Sequence, residues 1–526
     1  MFYDDPIDRY HSQPFSYHAD TESVELKGLC KSIWLSFGDD TRSEIDGSSN
    51  NKGKMLGKDY LNLSIIQLFL HWRLDPTLCL TTPRGNDVLN VRDFYNTKQI
   101  STRKLVKVFD ALIEYEYVDH INHSHSDDPI NKNTTSRIRT SKKLHNLFIG
   151  LEASEFDVDL NSDSKQILLT EWEVDEDGNL VKNKKTKKKS KLYIKYDENE
   201  FHIAAKLKIL TSYNQLLKRT HVDIASLNEP HIIREKRNKT TKKIEEQIIP
   251  INQNNKFVKR IFSRGEWVAN GRFYGGFWQQ VGSEYRQHIR INGQPTVELD
   301  YSSLHPNILL VEQGYPPSND VYTLSKEPIV QRFDLDKQRS IIKMAVLMLL
   351  NADSIDKAYS ALRNSYKKPK GKPIDPRSTL TIKEFNLYRE AFINKHPPLE
   401  GLLGKDQGIR LMYKDSQVME HMINNFTQQK ITILSVHDSI LIEEQHTLLA
   451  HKAMKEATKK VIGIELDFDQ NRLSIPEVIG SQTFRDRDYY LDNLSISQEQ
   501  RPKEETNLHK ERLDRFNNWI QQTNTN

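Results

Sequence analysis

The sequence predicts a multidomain α+β protein. Its 526 residues exceed what a single hydrophobic core usually organises, so we expect about two to four domains. Segments with apolar residues three and four positions apart, typical of amphipathic helices, alternate with short apolar runs typical of strands. Hydrophobic residues make up 37% and charged residues 28% of the chain, which indicates folded domains with some solvated segments.

Composition excludes several classes of protein. No apolar run reaches the length of about 18 residues that a membrane-spanning helix needs. The start of the chain, MFYDDPIDRY, is acidic and lacks the apolar core of a secretory signal. Two cysteines, Cys30 and Cys79, are too few for a disulfide framework or a zinc cluster. We therefore expect a cytoplasmic protein without a membrane partner. The net charge of +4 by itself says little about other partners.

Residues 56–150 follow the element order of a winged helix. The helical stretch LNLSIIQLFLHWRL precedes a short helix at VRDFYN, a third helix over STRKLVKVFDALIEY, and two strand-like runs, YVDHINHS and TSRIRTS. Because the third helix and the hairpin of such a motif lie against DNA, Arg103, Lys107 and Arg137 are predicted to contact phosphates. A winged helix that binds protein is the alternative.

Three other segments are mainly polar or connecting. Residues 1–55, rich in Ser, Asp, Asn and Gly, predict a polar leader. Residues 151–255 contain the basic run KNKKTKKKSK, which is typical of an exposed hairpin loop, and the helical stretch HIAAKLKILTSYNQLLKRT. Residues 491–526 predict a polar tail with one helix.

Two carboxylates follow apolar strands in the C-terminal half. Asp300 ends the strand in PTVELDYSSLHPN, and Asp438 lies at the tip of a predicted hairpin in ITILSVHDSILIEE. If these strands are neighbours in one sheet, the two carboxylates converge and repel unless cations bridge them. Such a pair suits two Mg²⁺ ions roughly 3.5–4 Å apart, with the carbonyl of Tyr301 as a further oxygen ligand. For each Asp alone, a cap or turn role is the simpler interpretation.

Two cations lie between these carboxylates in the sequence. Arg339 and Lys343 are four positions apart in DKQRSIIKMAVLMLLNA and therefore share one face of a predicted helix whose opposite face is apolar. Two cations on one face of a partly buried helix need an anionic partner, and a triphosphate fits. An ordinary solvated basic face is the alternative.

The order of these motifs resembles family A DNA polymerases, the bacterial DNA polymerase I type, whose relatives include single-subunit phage RNA polymerases. The run DYSS at 300–303 is similar to motif A of that family, and Val436-His437-Asp438 is similar to motif C. Arg339 and Lys343 match the Arg-x-x-x-Lys pattern of motif B. The resemblance spans residues 271–444, less than half of the chain.

The resemblance implies a right-hand architecture over residues 256–490, with an antiparallel palm sheet and helical fingers, and a thumb-like connector over residues 151–255. It implies that Asp300 and Asp438 are catalytic and bind two Mg²⁺ ions, with DNA primer-template and dNTPs as partners. Residues that it places at the nucleotide are Arg339, Lys343, His305 and Tyr301. Residues that it places at the DNA are Arg272, Gln279, Gln280 and His437.

The sequence departs from the family pattern at several positions. Asn351-Ala352 replaces the Tyr-Gly that usually ends motif B, and Leu347 stands where an aromatic residue is usual. His305 replaces the carboxylate that screens the ribose 2′-OH, and Ser439 rather than Glu follows Asp438. Because histidine is bulky but able to bond a hydroxyl, we expect a DNA polymerase with imperfect sugar discrimination.

Two functional classes follow. The first is a template-directed nucleotidyltransferase without a proofreading domain, in which the N-terminal domain directs the enzyme to DNA. A primase or RNA polymerase that uses NTPs is a variant of this class. The second is a non-catalytic replication initiator or regulator that only binds DNA. Retention of Asp300, Arg339, Lys343 and Asp438 favours the enzyme, because unpaired like charges cost stability in a site that has no ligand.

Overall fold

The computed structural model describes residues 7, 11–47, 55–82, 84, 94–122, 135–182, 189–237, 244–367, 375–472, 475–479 and 505–525. The chain divides into two compact units. Unit 1 consists of Met1–Gln166, Leu227–Phe257 and Thr506–Asn526, and unit 2 of Ile167–Ser226 and Val258–Glu505. Both units combine helices and sheets, so the predicted α+β composition is confirmed. None of the helices in the described residues has the length and hydrophobicity required to span a membrane.

Elements are numbered along the whole chain. The helices of unit 1 are α1 Val24–Ser36, α2 Asp39–Asp46, α3 Gly57–Leu74, α4 Thr102–Glu114, α5 Lys142–Ile149 and α14 Asn507–Thr525. Its strands are β1 Ser12–Pro14, β2 Asp20–Thr21, β3 Cys79–Thr82, β4 Val118–Ile121, β5 Ser136–Thr140, β6 Val158–Asp159, β10 His231–Arg237 and β11 Ile244–Pro250. Four of the strands form one sheet in the order β1-β3-β5-β4, and the others pair as β2-β6 and β10-β11.

The core of unit 1 surrounds α3, which packs against α1, α4 and strand β5. The predicted helices at 61–74 and 101–115 are present as α3 and α4, and the two strand-like runs pair as the antiparallel hairpin β4–β5. In the predicted short helix VRDFYN, residues 91–93 lie outside the described residues and 94–95 form a turn. The winged-helix assignment stays a prediction.

The structure differs from the predicted polar leader over residues 1–55. Helix α1 begins after Ser23, whose side chain accepts a hydrogen bond from the Leu26 backbone N–H at 3.1 Å. Leu26, Cys30 and Ile33, spaced four and three positions apart, are buried in the core of unit 1. A fragment that begins at residue 56 therefore lacks part of this core.

The predicted C-terminal tail contains the expected helix, and that helix belongs to the fold of unit 1. In α14, the ring of Phe516 lies 5.2 Å from that of Phe156, and Trp519 Nε1 donates a hydrogen bond to Asp157 Oδ1 at 2.8 Å. The predicted connector 151–255 also differs, because its residues are shared between the two units.

Unit 2 contains eight helices among its described residues: α6 Phe201–Lys218, α7 Ser283–Arg286, α8 Leu304–Glu312, α9 Leu335–Asn351, α10 Ile355–Ser365, α11 Ile382–Lys395, α12 Gly408–Gln428 and α13 Thr447–Ile462. Its first strands are β7 Ile167–Trp172, β8 Lys191–Tyr193, β9 Val222–Ile224, β12 Val258–Phe262, β13 Asn270–Gly275 and β14 Ile289–Ile291. The remaining strands are β15 Gln294–Tyr301, β16 Ile433–Val436, β17 Ser439–Glu443, β18 Phe468–Arg472 and β19 Ile475–Ile479.

A seven-stranded antiparallel sheet organises unit 2. Its main order is β16-β17-β15-β14-β9, and β18 pairs with both β15 and β19. A smaller sheet has the order β13-β12-β7-β8. Helix α12 packs against β13, α6 and α13, while α9 packs against α10 and α11. The two predicted carboxylate strands are thus neighbours at the centre of one antiparallel sheet, and the assignment of that sheet as a polymerase palm stays a prediction.

Candidate active site

The two predicted carboxylates lie at the same end of the large sheet. Strand β15 pairs with β17 in a register that places Asp300 opposite Ser439. Asp438 directly precedes Ser439 in the two-residue turn that joins β16 to β17. The first residue of this turn, His437, has φ of 58°, a left-handed conformation that is costly for a residue with a side chain. The hairpin therefore holds the backbone beside Asp438 in one tightly defined arrangement.

Further acidic residues share the sheet face of Asp300. Asp469 on β18 lies opposite Asp300 on the other side of β15, and Glu298 lies two positions before Asp300 on the same face. Arg286 Nη2 lies 3.1 Å from Glu298 Oε1 and compensates that charge. Side chains at the next positions, Leu299 and Tyr301, are buried on the opposite face. The alternation of β15 thus separates an apolar face from an acidic one.

This crowding of negative charge changes the titration of Asp300. Burial, followed by the charges of Asp438 and Glu298, raises the pKa of Asp300 well above its usual value. The Lys343 ammonium acts in the opposite direction but does not cancel the effect. In the absence of a cation, Asp300 therefore does not ionise easily beside the charge of Asp438. A bound divalent cation removes this repulsion, so the residues present fit a metal site.

Backbone geometry offers one more oxygen ligand. The Ser302 N–H donates to Asp467 O at 3.1 Å, so alternate residues of β15, including Asp300, bond to β18. The carbonyl of Tyr301 consequently points to the other side of β15, towards β17 and the turn that contains Asp438. No three His, Cys, Asp or Glu side chains of the described residues are placed to hold a metal ion. A cation here would also need water or substrate oxygens, as Mg²⁺ commonly does.

The predicted cations occupy the exposed face of α9. Arg339 and Lys343 are exposed, as is Leu347 one turn further on, whereas Ile341 and Ala345 are buried on the opposite face. Lys343 is close enough to Asp300 to affect its titration. Arg339 Nη2 lies 3.5 Å from Asp320 Oδ1, a weak contact between exposed groups. Arg339 and Lys343 thus share one exposed face of α9, as their spacing predicts, and Lys343 lies near Asp300.

Arg272 and His305 converge on a carboxylate that the sequence analysis did not identify. Arg272 Nε donates to both oxygens of Asp415 at 3.0 Å, and His305 Nε2 lies 2.7 Å from Asp415 Oδ2. The Asp415 side chain is completely buried. Burial opposes the charge of Arg272, but the hydrogen bonds and charge of Asp415 outweigh it and raise the pKa of Arg272. We call Arg272, His305 and Asp415 the buried polar cluster.

The buried polar cluster bears on two predicted contacts. The Arg272 guanidinium bonds Asp415, so the predicted DNA contact of Arg272 would use the N–H groups that do not bond Asp415. The His305 ring also bonds Asp415, and its position beside a ribose stays a prediction. Tyr301 also differs, because its hydroxyl donates to Met454 O at 2.7 Å and its ring is buried away from the acidic face. Only its backbone carbonyl remains at the site.

The other predicted DNA contacts of unit 2 have mixed positions. The amide of Gln279 is used internally, with its nitrogen donating to Ser435 O at 2.8 Å and its oxygen accepting from the Gly275 N–H at 3.2 Å. This differs from the predicted contact with DNA. Gln280 is exposed. His437 is half-buried, and burial together with the Arg272 charge lowers its pKa, so the ring stays neutral at neutral pH.

Three predicted DNA contacts lie in unit 1. Arg103 on α4 is exposed. Lys107 Nζ donates to Glu44 O at 2.6 Å, which ties its ammonium to α2. The Arg137 guanidinium on β5 donates to Thr135 O. Arg103 is therefore the member of this set most directly available to a phosphate.

Two acidic residues that the sequence analysis did not identify, Asp415 and Asp469, differ in whether the sequence contains a signal for them. Asp415 occupies the apolar stripe of α12, in line with the buried residues Leu411, Met419 and Met422. An acidic residue at such a position indicates a buried partner, so the periodicity carried a usable signal. Asp469 carried none, because only the pairing of β18 with β15 places it opposite Asp300.

Comparisons with known proteins give little beyond this geometry. The chain matches no protein-family model and no curated protein. Among solved structures, it is similar to the POL domain of Pol1 from M. smegmatis in complex with DNA primer-template and dNTP, at 11% identity and a TM-score of 0.23. The match covers 38% of this chain and 45% of that one, so this chain spans less than half of that structure. A likeness this weak establishes no family for the chain.

Proposed function

We propose that this protein is a template-directed nucleotidyltransferase that extends a DNA primer with dNTPs. The observation that carries the proposal is that Asp300 and Asp438 lie at the same end of two neighbouring central strands. Lys343 is near enough for its charge to affect Asp300. Paired carboxylates beside cations suit a reaction in which a triphosphate binds with divalent metal. The same arrangement has little value in a protein that only binds DNA, because it repels the phosphate backbone.

Asp300 and Asp438 would hold two Mg²⁺ ions, with the Tyr301 carbonyl as a further ligand. Bound there, Mg²⁺ would lower the pKa of the attacking 3′-hydroxyl and stabilise charge on the leaving pyrophosphate. The rigid turn at His437 and the central position of β15 keep the two carboxylates in place, so little reorganisation is needed when substrate binds.

Arg339 and Lys343 would bind the β- and γ-phosphates of the incoming nucleotide. They lie one helical turn apart on the exposed face of α9, which matches a chain of phosphate groups better than a single anion. Arg339 can exchange its weak contact with Asp320 for a charge-assisted bond to phosphate at little cost.

Unit 1 would bring the enzyme to DNA. Arg103 on α4 would contact duplex phosphates, and Lys107 and Arg137 would contribute only after releasing their present partners. Binding of this kind is largely electrostatic and weakens steeply with salt. A winged helix is the structure that we propose for this DNA-binding part.

Primer extension tests the proposal. The full chain is incubated with a primed template, Mg²⁺ and either dNTPs or NTPs, and product length is measured. Extension by the wild type should be abolished in Asp300→Asn and Asp438→Asn, while the primer-template Kd stays within about threefold. Asp353→Asn, an exposed carboxylate paired with Lys357 outside the site, should extend normally. Substantial Mg²⁺-dependent synthesis by either site variant would refute the proposal, and NTP preference would reassign the enzyme to RNA synthesis.

A further inference from the structure

An exposed tryptophan lies on the basic hairpin β7–β8, outside the segment that resembles a polymerase. Trp172 ends β7, pairs with Lys191 at the start of β8 and has 38% of its surface exposed. The ammonium groups of Lys189 and Lys191 lie 5.5 Å and 5.1 Å from the centre of its ring. Both lysines are exposed, and neither forms an ion pair with a carboxylate in the described part of the chain. A large aromatic ring and two cations thus share one open surface.

A cavity adjoins the Trp172 ring. It has a volume of about 250 Å³ and is lined by Thr170, Trp172 and Lys191, which project from the same face of the hairpin. Ile409 and Met412 of α12 give the cavity an apolar surface as well. Since pockets for drug-sized ligands measure roughly 300–1,000 Å³, this smaller cavity suits a single flat ring.

Charges are divided around the cavity. Asp406 lines it, but the Arg264 guanidinium compensates this carboxylate at 2.6 Å. Glu171 is a second acidic residue at the cavity. Lys189 and Lys191 add two positive charges on the exposed surface beside it. An occupant with an uncharged flat ring and with anionic groups outside the cavity fits this distribution.

Backbone hydrogen bonds hold the cavity walls in place. The Gly265 N–H donates to Thr170 O at 3.0 Å, which joins the turn after β12 to β7. At the end of α9, the Gly404 N–H donates to Leu349 O at 2.7 Å. The cavity is therefore a fixed feature of unit 2.

The cavity is separate from the proposed triphosphate contacts. Asn351, which lines it, ends α9 eight residues after Lys343. At about 1.5 Å per residue, these two positions lie about 12 Å apart along the helix axis. A ligand on Trp172 can therefore bind independently of an incoming nucleotide.

We infer that Trp172 and the two lysines beside it bind single-stranded nucleic acid. One unpaired base stacks on the exposed part of the Trp172 ring, and phosphates of the same strand contact Lys189 and Lys191. Proteins that bind single strands combine aromatic rings, on which bases stack, with a basic surface that follows the backbone. A duplex fits less well, because its bases are already stacked on one another. The inference goes beyond the proposed nucleotidyl transfer, since this contact needs neither metal nor nucleotide.

The test measures binding of two labelled oligomers to the full chain by fluorescence anisotropy, in EDTA and without nucleotides. One is an oligothymidylate of about 16 nucleotides, and the other has the same length and backbone but carries no bases. Trp172→Ala removes the ring and Trp172→Phe keeps an aromatic one. Leu448→Ala is the control, because this side chain is 69% exposed on α13 and lies outside the cavity. The Tm and the duplex Kd are measured alongside.

Trp172→Ala should raise the Kd for oligothymidylate by about tenfold, the loss expected for one base stacked on an aromatic ring. Its Kd for the oligomer without bases, its duplex Kd and its Tm should stay unchanged. Trp172→Phe should remain within about threefold of the wild type, and Leu448→Ala should behave as the wild type. An unchanged Kd for oligothymidylate in Trp172→Ala would overturn the inference. An equal loss for both oligomers would also overturn it, because the ring would then not act through a base.

A second pair of variants tests the phosphate contacts. The double variant Lys189→Ala, Lys191→Ala should lower the slope of log Kd for oligothymidylate against log salt concentration by about 1.4, the value for two single-strand phosphate contacts. Lys452→Ala, which removes an exposed lysine near Glu456 on α13, should leave the slope unchanged. An unchanged slope in the double variant would overturn the assignment of these lysines to phosphates.

Two competitors identify the strand and exclude another partner. Tighter binding of oligothymidylate than of oligouridylate would identify DNA as the strand, and the reverse would identify RNA; both outcomes support the inference when Trp172→Ala weakens the tighter one. Displacement of oligothymidylate by polyglutamate at an equal concentration of negative charge would overturn the inference in favour of an acidic protein segment. Absence of primer extension would refute the proposed function and would leave these binding results intact.

Discussion

Asp415 carries the strongest energetic prediction that the structure allows. Asp415→Asn preserves the volume of the side chain but removes its charge, and it places amide hydrogens where Arg272 now donates two bonds at 3.0 Å. The Arg272 side chain is 13% exposed and Asp415 is fully buried, so solvent cannot replace the lost carboxylate. Breaking a buried pair in this way costs about 3–5 kcal/mol, because one charge is left uncompensated.

Urea denaturation monitored by Trp fluorescence measures this loss. The free energy of unfolding of Asp415→Asn should fall by about 3–5 kcal/mol, with an unchanged m-value if the native state keeps its compactness. Asp406→Asn is the matched control. It breaks an ion pair of comparable length, 2.6 Å to Arg264, whose side chains are 36% and 44% exposed. Exposed pairs contribute at most about 1 kcal/mol, so the control should lose little.

A double variant completes the test. Arg272→Met combined with Asp415→Leu removes both charges, and it should recover most of the stability that Asp415→Asn loses, because replacing a whole buried pair by apolar groups is close to neutral. A loss below about 1 kcal/mol in Asp415→Asn, equal to the control, would refute the reasoning. Such a small loss would mean that water or a rearranged His305 accepts the hydrogen bonds that Arg272 now donates to Asp415.

Four further outcomes are expected. Lys343→Ala should raise the KM for dNTP by about tenfold or more without changing the primer-template Kd, because it removes a charge-assisted contact to triphosphate; an equal loss of DNA affinity would assign Lys343 to the template. Mg²⁺ should raise the Tm of the wild type and EDTA should reverse the shift, whereas Asp300→Asn should not respond; an equal shift in that variant would place the metal elsewhere. The Arg332 hydrogen bond lowers the pKa of Glu384 in the folded protein to about 2, below the value of about 4.3 in the unfolded chain. The ionised Glu384 therefore stabilises the fold above about pH 4.3, and this contribution is lost as the pH falls towards 2. The Tm difference between wild type and Glu384→Gln should therefore narrow between about pH 5 and pH 2, and a constant difference would contradict the assignment. Arg103→Ala should reduce the slope of the logarithm of the duplex binding constant against the logarithm of salt concentration by about one, because one phosphate contact is lost. An unchanged slope would show that Arg103 does not contact the DNA.

The strands that carry Asp300 and Asp438 could be predicted because the sequence patterns that define them involve only nearby residues. Strong alternation in β15 and two apolar runs separated by His437-Asp438 define the strands and the turn between them. The face of α9 that carries Arg339 and Lys343 follows from helical periodicity alone. These features depend on neighbours within about one turn or one hairpin, which is the range that sequence patterns describe.

Features that the sequence analysis missed arise where distant segments meet. His305, which is predicted beside a sugar, lies within hydrogen-bond distance of a carboxylate on α12 that no local pattern connects with it. Residues 1–55 were predicted as a leader because their polar composition conceals the buried spacing of Leu26, Cys30 and Ile33. Local pattern cannot show which surface such a short apolar stripe will cover, and composition averages it away.

The position of α14 sets an order of events during protein synthesis. Unit 1 needs Phe516 and Trp519 to cover Phe156, yet these residues leave the ribosome only after the whole of unit 2 has been translated. At about 5–20 residues per second, the nascent surface around Phe156 waits tens of seconds for its partner helix. The N-terminal unit is therefore the one that finishes folding last, and during that interval its uncovered aromatic surface is open to chaperones or to misassembly.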